Sequence, residues 1–158
     1  MGTGINVEHV NPFIRATMET FKSMVHCDIT PGKVGLAHVK VNPYDVSGVI
    51  GLSGGAKGTV SLSFPKITAL KIVSAFSGEK TVTLNSEAVD AVGELINIVA
   101  GSSKRDLSSY NINISLPTVV VGDNHHLQGP KDVLPITVPF TCVHGSFNLI
   151  ISFKSEEK

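Results

Sequence analysis

The segment from Ser86 to Arg105 (SEAVDAVGELINIVAGSSKR) constrains the fold most, because it reads as one long amphipathic helix. Apolar residues recur there at helical spacing and predict a core-facing stripe: Val89, Val92, Ile96, Val99 and Ala100. A second stripe, roughly 60° wide on an ideal helix, consists of three polar residues and a glycine: Asp90, Glu94, Asn97 and Gly101. The helix is therefore predicted to bury one flank and to present an acid and an amide, one turn apart, on another.

Helix and strand signals alternate before this segment. A first helix is predicted to begin with Asn11 as N-cap and Pro12 in the first helical position, and to end near His26. A second helix is predicted between Pro65 and Gly78. Three strands are predicted between the two helices: Val34–Val41, Asp45–Ser53 and Gly58–Phe64. The glycine-rich stretch 51–58 lacks the order of a phosphate-binding loop and is interpreted as a hairpin connection.

A similar block of strands follows the long helix. Ile112, Ile114 and Leu116 alternate with polar residues and predict a half-buried strand, which continues through Pro117 to Val121. The proline places that strand at an edge or marks a bulge. A last pair of strands is predicted at 133–142 and 145–153. The fold class is α+β, with two pseudo-repeated helix-plus-three-strand halves that form an antiparallel-rich sheet packed against helices.

Composition indicates one globular domain. The chain has 158 residues, 42% of them hydrophobic, with a mean hydropathy of +0.22, so it can bury a sizeable core. We expect the domain to span 5–154, with 1–4 left over from expression and 155–158 as a charged tail. Thirteen basic and 13 acidic residues give a net charge of +0, which argues against nucleic acid or an anionic membrane as the main partner. We expect a cytoplasmic protein, because neither a membrane-length apolar run nor a signal peptide is evident.

The cysteines and histidines give no metal-ligand spacing. Cys27 and Cys142 lie far apart in sequence and are expected to be buried free thiols. His125 and His126 fall in the polar stretch GDNHHLQGPKD, which is typical of a loop. The sequence therefore predicts no metal site and no cofactor of its own.

The acid-amide stripe is a weak motif when taken alone, because many solvated helices contain Glu-x-x-Asn by chance. Asparagine is nonetheless a poor helix former, and Asn97 sits in mid-helix with no cap to make. Gly93 and Gly101 flank the pair, and each costs about 1 kcal/mol relative to alanine. These glycines could permit close approach by another protein. The pattern leaves both a solvated surface and a functional site open.

The run Asp90-x-x-x-Glu94-x-x-Asn97, followed by Ile114-Ser-Leu-Pro117-Thr-Val-Val-Val-Gly122, resembles the CheX branch of the CheC/CheX/FliY chemotaxis phosphatases. The resemblance covers about Val7 to Phe153 through the order of elements as well as the motif. In that family an Asp or Ser, a Glu and an Asn lie on one helix and a Pro follows on the next strand. Asp90, Glu94, Asn97 and Pro117 fill those positions here, although the interval from Asn97 to Pro117 is shorter than in the CheC-type pattern.

The resemblance implies hydrolysis of the aspartyl phosphate on a CheY-type response regulator, with Mg²⁺ supplied by the regulator. It assigns catalysis to Asn97, which would orient the attacking water, and to Glu94, which would pair with the regulator's lysine. Asp90, Ile98 and Gly101 would extend the contact surface. It also implies a homodimer with one site per chain.

Two other classes of protein are alternatives to the phosphatase. A non-catalytic binding or adaptor domain of the chemotaxis or flagellar switch system would keep the apolar stripe and tolerate loss of Asn97, so the presence of both Glu94 and Asn97 favours the enzyme. A conventional hydrolase is disfavoured, because the sequence contains neither a GxSxG nucleophile motif nor a helical HExxH zinc motif.

Overall fold

The computed structural model describes residues 7–36, 44–125 and 133–155. In these ranges the chain forms three α-helices, a π-helical turn, a 3₁₀ turn and an eight-stranded sheet. The helical elements are α1 (Val7–Thr20), the π-helical turn Phe21–Val25, α2 (Lys66–Ser77), α3 (Ser86–Asp106) and the 3₁₀ turn Ser108–Tyr110. The strands are β1 (Thr30–Pro31), β2 (Gly35–Leu36), β3 (Tyr44–Gly54), β4 (Ala56–Phe64), β5 (Ile112–Ile114), β6 (Thr118–His125), β7 (Ile136–Cys142) and β8 (Gly145–Ser155). No helix in the described ranges is long and apolar enough to span a bilayer.

The strand order confirms the two related halves. The path through the sheet is β1-β7-β8-β4-β3-β5, with every pairing antiparallel. The short strands β1 and β2 of the first half pair with β7 of the second, and β5 and β6 of the second half pair with β3 of the first. If β1, β3 and β4 of the first half are exchanged with β5, β7 and β8 of the second, the result is the same path read backwards. The α+β prediction with pseudo-repeated halves is therefore confirmed, although each half contributes four strands and not the three predicted.

One face of the sheet carries the apolar core. Phe13 of α1 packs edge-on against Phe153 of β8, and Phe21 of the π-helical turn stacks on Phe147 with a 4.8 Å centroid separation. A side chain at Gly48 of β3 would touch Val92 and Ile96 of α3. Helices and sheet thus form two layers around a single hydrophobic cluster.

The predicted start of the first helix is wrong. Helix α1 already includes Val7 to Val10, and Pro12 lies inside it instead of in its first position. A proline inside a helix loses a backbone hydrogen bond and normally destabilises it. Pro12 is buried next to Phe13, whose burial offsets part of that cost because most helix stability comes from packing. The predicted end is confirmed, since His26 terminates the π-helical turn in the left-handed conformation at φ 62°.

The strand predicted from Ile112 to Val121 is interrupted. Ile114 pairs with Leu52 and Thr118 pairs with Val49, so three residues of one strand oppose two of the other. This is a β-bulge on the edge strand, and it includes Pro117, as the proline predicted. The extra residue breaks the alternation. Leu116 was expected on the half-buried face and is instead 85% exposed.

The remaining element predictions are largely confirmed. Helix α2 follows Pro65 and is capped by Gly78 at φ 81°, and residues 51–58 form the β3–β4 hairpin. The β7–β8 pair is present, although β7 begins at Ile136 and not at Val133. Of the strand predicted from Val34 to Val41, only Gly35–Leu36 is a strand in the described ranges, and 37–41 lie outside them. His125, placed in a loop by the sequence, is the last residue of β6, and His126 lies outside the described residues.

Candidate functional site

The helix that carries the site begins and ends as its sequence dictates. Asn85 is its N-cap, and the Asn85 side chain accepts a hydrogen bond of 2.8 Å from the backbone N–H of Ala88. Glu87 in the first turn and Lys104 and Arg105 in the last turn complement the helix dipole. Helix α3 is therefore stable by local chemistry as well as by packing.

A glycine in the sheet lets α3 lie close to it. A Cβ built on Gly48 would stand 3.0 Å from Ile96 Cγ2 and 3.2 Å from Val92 Cγ1. Both side chains are buried, at 0% and 1% exposure. The missing side chain at Gly48 therefore fixes the height and rotation of α3 on β3, and with it the direction of the opposite, polar stripe.

The polar stripe faces outward. Asp90 and Glu94 are exposed, while Asn97, Ile98 and Gly101 are half-buried. A Cβ at Gly101 would meet no atom within 4 Å, so the space beside it is open. The structure thus brings all five predicted site residues onto one accessible surface of α3, with Asn97 more enclosed than Glu94.

Gly93, the other glycine that flanks the acid-amide pair, has a different role from the one expected. Gly93 is buried, and a Cβ there would lie 3.4 Å from Val119 Cγ2 and 3.6 Å from Pro117 Cγ. The missing side chain at Gly93 lets the chain's own edge strand pack against α3, so it does not make room for another protein. Because Gly93 is one turn before Asn97, this contact also brings Pro117 next to the site. Pro117 therefore lies against α3, one helical turn before Asn97, on the chain segment that the resemblance implies.

The bulge beside the site is held by a serine. The Ser115 N–H donates to the Gly51 carbonyl at 3.0 Å, and the Ser115 hydroxyl accepts from the Gly51 N–H at 2.9 Å. The same hydroxyl donates to the Leu116 carbonyl at 2.7 Å. These bonds fix the backbone on both sides of Leu116. Pro117 indicates a bulge in the sequence, but no local signal indicates that Leu116 is exposed to solvent.

Outside α3, the described residues bring cysteine and serine side chains close to other polar groups. Cys27 and Cys142 are half-buried free thiols that lie together, which the sequence did not foresee. Burial, and then the neighbouring Cys142, raises the pKa of the Cys27 thiol to about 11. Ser47 contacts Ser63 at 2.5 Å and His125 Nε2 at 2.7 Å, but Ser47 has 0% exposure, so no substrate reaches its hydroxyl. Neither group provides an accessible, activated nucleophile.

Within the described ranges, no three His, Cys, Asp or Glu side chains come together to hold a metal ion. The accessible chemistry of α3 is a carboxylate at Glu94 and a carboxamide at Asn97. A carboxylate binds a cation, and a carboxamide both donates and accepts hydrogen bonds without carrying charge. This pair is suited to orienting a water molecule for a reaction in which a partner protein carries the group that the water attacks.

Comparisons with known proteins agree with this fold. A model of the family "Chemotaxis phosphatase CheX" matches residues 46–141. The curated CheY-P phosphatase CheX of Thermotoga maritima is 31% identical over 150 residues, which cover 92% of this chain and 96% of that protein.

Solved structures superpose closely. A CheC-like superfamily protein from Shewanella sp. PV-4 has a TM-score of 0.88 at 34% identity, covering 96% of this chain and 100% of that one. The chemotaxis protein CheX from Vibrio vulnificus has a TM-score of 0.87 at 33% identity, covering 94% and 100%. CheX in a CheX-CheY-BeF₃-Mg²⁺ complex from Borrelia burgdorferi shares the fold, with a TM-score of 0.74 at 23% identity, covering 95% and 100%.

The two-layer fold with its repeated halves and outward acid-amide helix defines a CheC-like protein of the chemotaxis phosphatase class. Within that class, the matching family model and the Thermotoga relative decide the branch: the chain belongs to the CheX family.

Proposed function

We propose that this protein is a phosphatase that hydrolyses the aspartyl phosphate of a CheY-type response regulator and so ends the chemotaxis signal. The observation that carries the proposal is the outward placement of Glu94 and Asn97 on a helix seated by Gly48, in a chain 31% identical to a CheY-P phosphatase. The Borrelia burgdorferi complex supports a CheY-type partner through its shared fold.

In the proposed reaction, Asn97 orients a water molecule in line with the bond to be broken. The water oxygen forms a bond to phosphorus while the bond from phosphorus to the aspartate oxygen breaks, which returns the regulator's carboxylate and releases inorganic phosphate. An acyl phosphate is already reactive, so positioning and electrostatics supply most of the acceleration. A neutral amide suits this role because it does not repel the negatively charged phosphoryl group.

Glu94 has the second role in the proposal. Its exposed carboxylate pairs with the lysine of the regulator's active site and fixes the angle at which α3 docks. Asp90, Ile98 and Gly101 extend the contact, and the open space beside Gly101 leaves room for the partner's backbone. Mg²⁺ belongs to the regulator in this scheme and stabilises the charge of the phosphoryl group there.

The proposal places the protein in the cytoplasm as a homodimer. Pairing between sheet edges is a physical route to a dimer. One edge ends in the two-residue strands β1 and β2, whereas the other ends in the eight-residue strand β6, on which Val121 is 52% exposed. The longer strand favours β6 as the paired edge.

The test is the decay of phosphorylated CheY in Mg²⁺, without this protein, with it, and with its Asn97→Ala variant. We expect the wild type to accelerate decay and the folded variant to lose about 100-fold or more of that acceleration, as for loss of one positioned catalytic group. An equally active variant would remove Asn97 from the mechanism. An inactive wild type that still binds the regulator would indicate the non-catalytic binding domain.

A further inference from the structure

An exposed leucine lies beside the proposed catalytic pair. Leu116 is 85% exposed and lies between Ser115 and Pro117, in the bulge at the edge of the sheet. A leucine in water gains nothing for the fold, because its stabilising contribution depends on removal from solvent. Its side chain is therefore available for contact with a partner molecule.

The leucine is held rigidly in relation to Asn97. The hydroxyl of Ser115 bonds the Leu116 carbonyl at 2.7 Å, which fixes the backbone before and at the leucine. The next residue, Pro117, packs against Gly93, one helical turn from Asn97. The contact of Pro117 with Gly93 therefore connects the leucine to α3, and the hydrogen bonds of Ser115 hold its backbone against β3, so the side chain projects at a fixed place beside the proposed site.

We propose that Leu116 is an apolar anchor for the response regulator, on the side of Asn97 opposite Ile98. The inference rests on the proposed function, because it names a further contact of the same partner. On α3, Ile98 lies on one flank of the polar stripe and Gly93, with Pro117 against it, lies on the other. Apolar contacts on both flanks exclude water and strengthen the charged pair at Glu94.

A second copy of this chain explains the leucine less well. Strand-to-strand pairing needs a regular row of backbone donors and acceptors, and the bulge with Pro117 interrupts that row next to Leu116. Strand β6 begins at Thr118, beyond the leucine. Leu116 therefore adjoins the surface of α3 and does not belong to the regularly paired strand β6.

The experiment compares Leu116→Ser with Val143→Ser. Val143 is 80% exposed in the β7–β8 turn. It lies about 20 Å from Gly48, estimated from strand spacing and rise. For each protein, the kinetics with phosphorylated regulator and the affinity for beryllofluoride-loaded regulator are measured, together with thermal unfolding and sedimentation. We expect Leu116→Ser to raise KM and weaken binding about tenfold, with kcat and unfolding midpoint unchanged, and Val143→Ser to match the wild type.

Unchanged KM and affinity in Leu116→Ser, beside an active wild type, would overturn the anchor and leave the phosphatase in place. Dissociation of a dimer by this substitution would assign the leucine to a second copy and also overturn it. If the wild type is inactive, the phosphatase proposal fails, and the binding titration still decides the anchor. A wild type that neither hydrolyses nor binds the regulator would overturn both.

Discussion

Replacement of Val92 by aspartate tests the seating of α3 on the sheet. Val92 is 1% exposed and lies against the position where a Gly48 side chain would be. Losing its burial costs about 1.5–2 kcal/mol, and burying a carboxyl group without a partner costs about 1–3 kcal/mol more. The total of about 2.5–5 kcal/mol is a large part of the roughly 5–15 kcal/mol that stabilises a domain of this kind.

We expect the unfolding midpoint of Val92→Asp to fall by at least about 5 °C near neutral pH, since 1 kcal/mol shifts a chain of this length by about 2–4 °C. An apolar surrounding raises the pKa of a carboxyl group in the folded state. The folded state then keeps a proton that the unfolded state releases above pH about 4. The loss of folding stability relative to wild type should therefore be smallest below that pH and should grow as the pH rises.

Thermal unfolding followed by circular dichroism between pH 3.5 and 8 measures both effects. Val82→Asp is the matched control, because Val82 is 67% exposed and its substitution should change stability by no more than about 0.5 kcal/mol. A Val92→Asp protein with the midpoint and activity of the wild type would refute the packing of α3. A deficit independent of pH would refute burial of the new carboxyl group.

Three further outcomes follow from the site and the sheet edge. Asn97→Ala should keep or slightly raise the unfolding midpoint in calorimetry, by about 1–2 °C, because alanine is the better helix former; a fall of many degrees would make Asn97 structural. Glu94→Lys should weaken binding of phosphoryl-mimic-loaded regulator in a titration, while Glu19→Lys, the same charge change on exposed α1, should not; equal affinities would reject the lysine pairing. Sedimentation should show a dimer that Val121→Lys dissociates, and a monomeric wild type would contradict the dimer proposal.

Local sequence signals correctly predicted the elements that local chemistry controls. The start of α3 at Ser86, the boundaries of α2 at Pro65 and Gly78, and the outward stripe of α3 each depend on residues within one or two helical turns. The start of α1 was not predictable in this way. Burial of Phe13 and its neighbours against β8 offsets the cost of Pro12 inside the helix, and that burial depends on residues more than 100 positions away.

Several features of the site were visible in the sequence only as unexplained glycines. Gly48 interrupts a strand pattern, which indicates close approach of another element, but the sequence does not say which element approaches. Gly93 was interpreted as space for a partner, whereas it accommodates Pro117. In both cases the sequence shows that a side chain is missing. Which neighbouring group occupies the space depends on the tertiary packing.

The sequence by itself determined the helix that carries Asp90, Glu94 and Asn97, because helical period and capping are properties of neighbouring residues. The tertiary structure alone decided that Leu116 leaves the core face, because a bulge exists only in the pairing of two strands, β3 with β5 and β6. Strand register joins residues about 65 positions apart, and no local preference encodes it. That register places an apolar side chain beside the acid and amide.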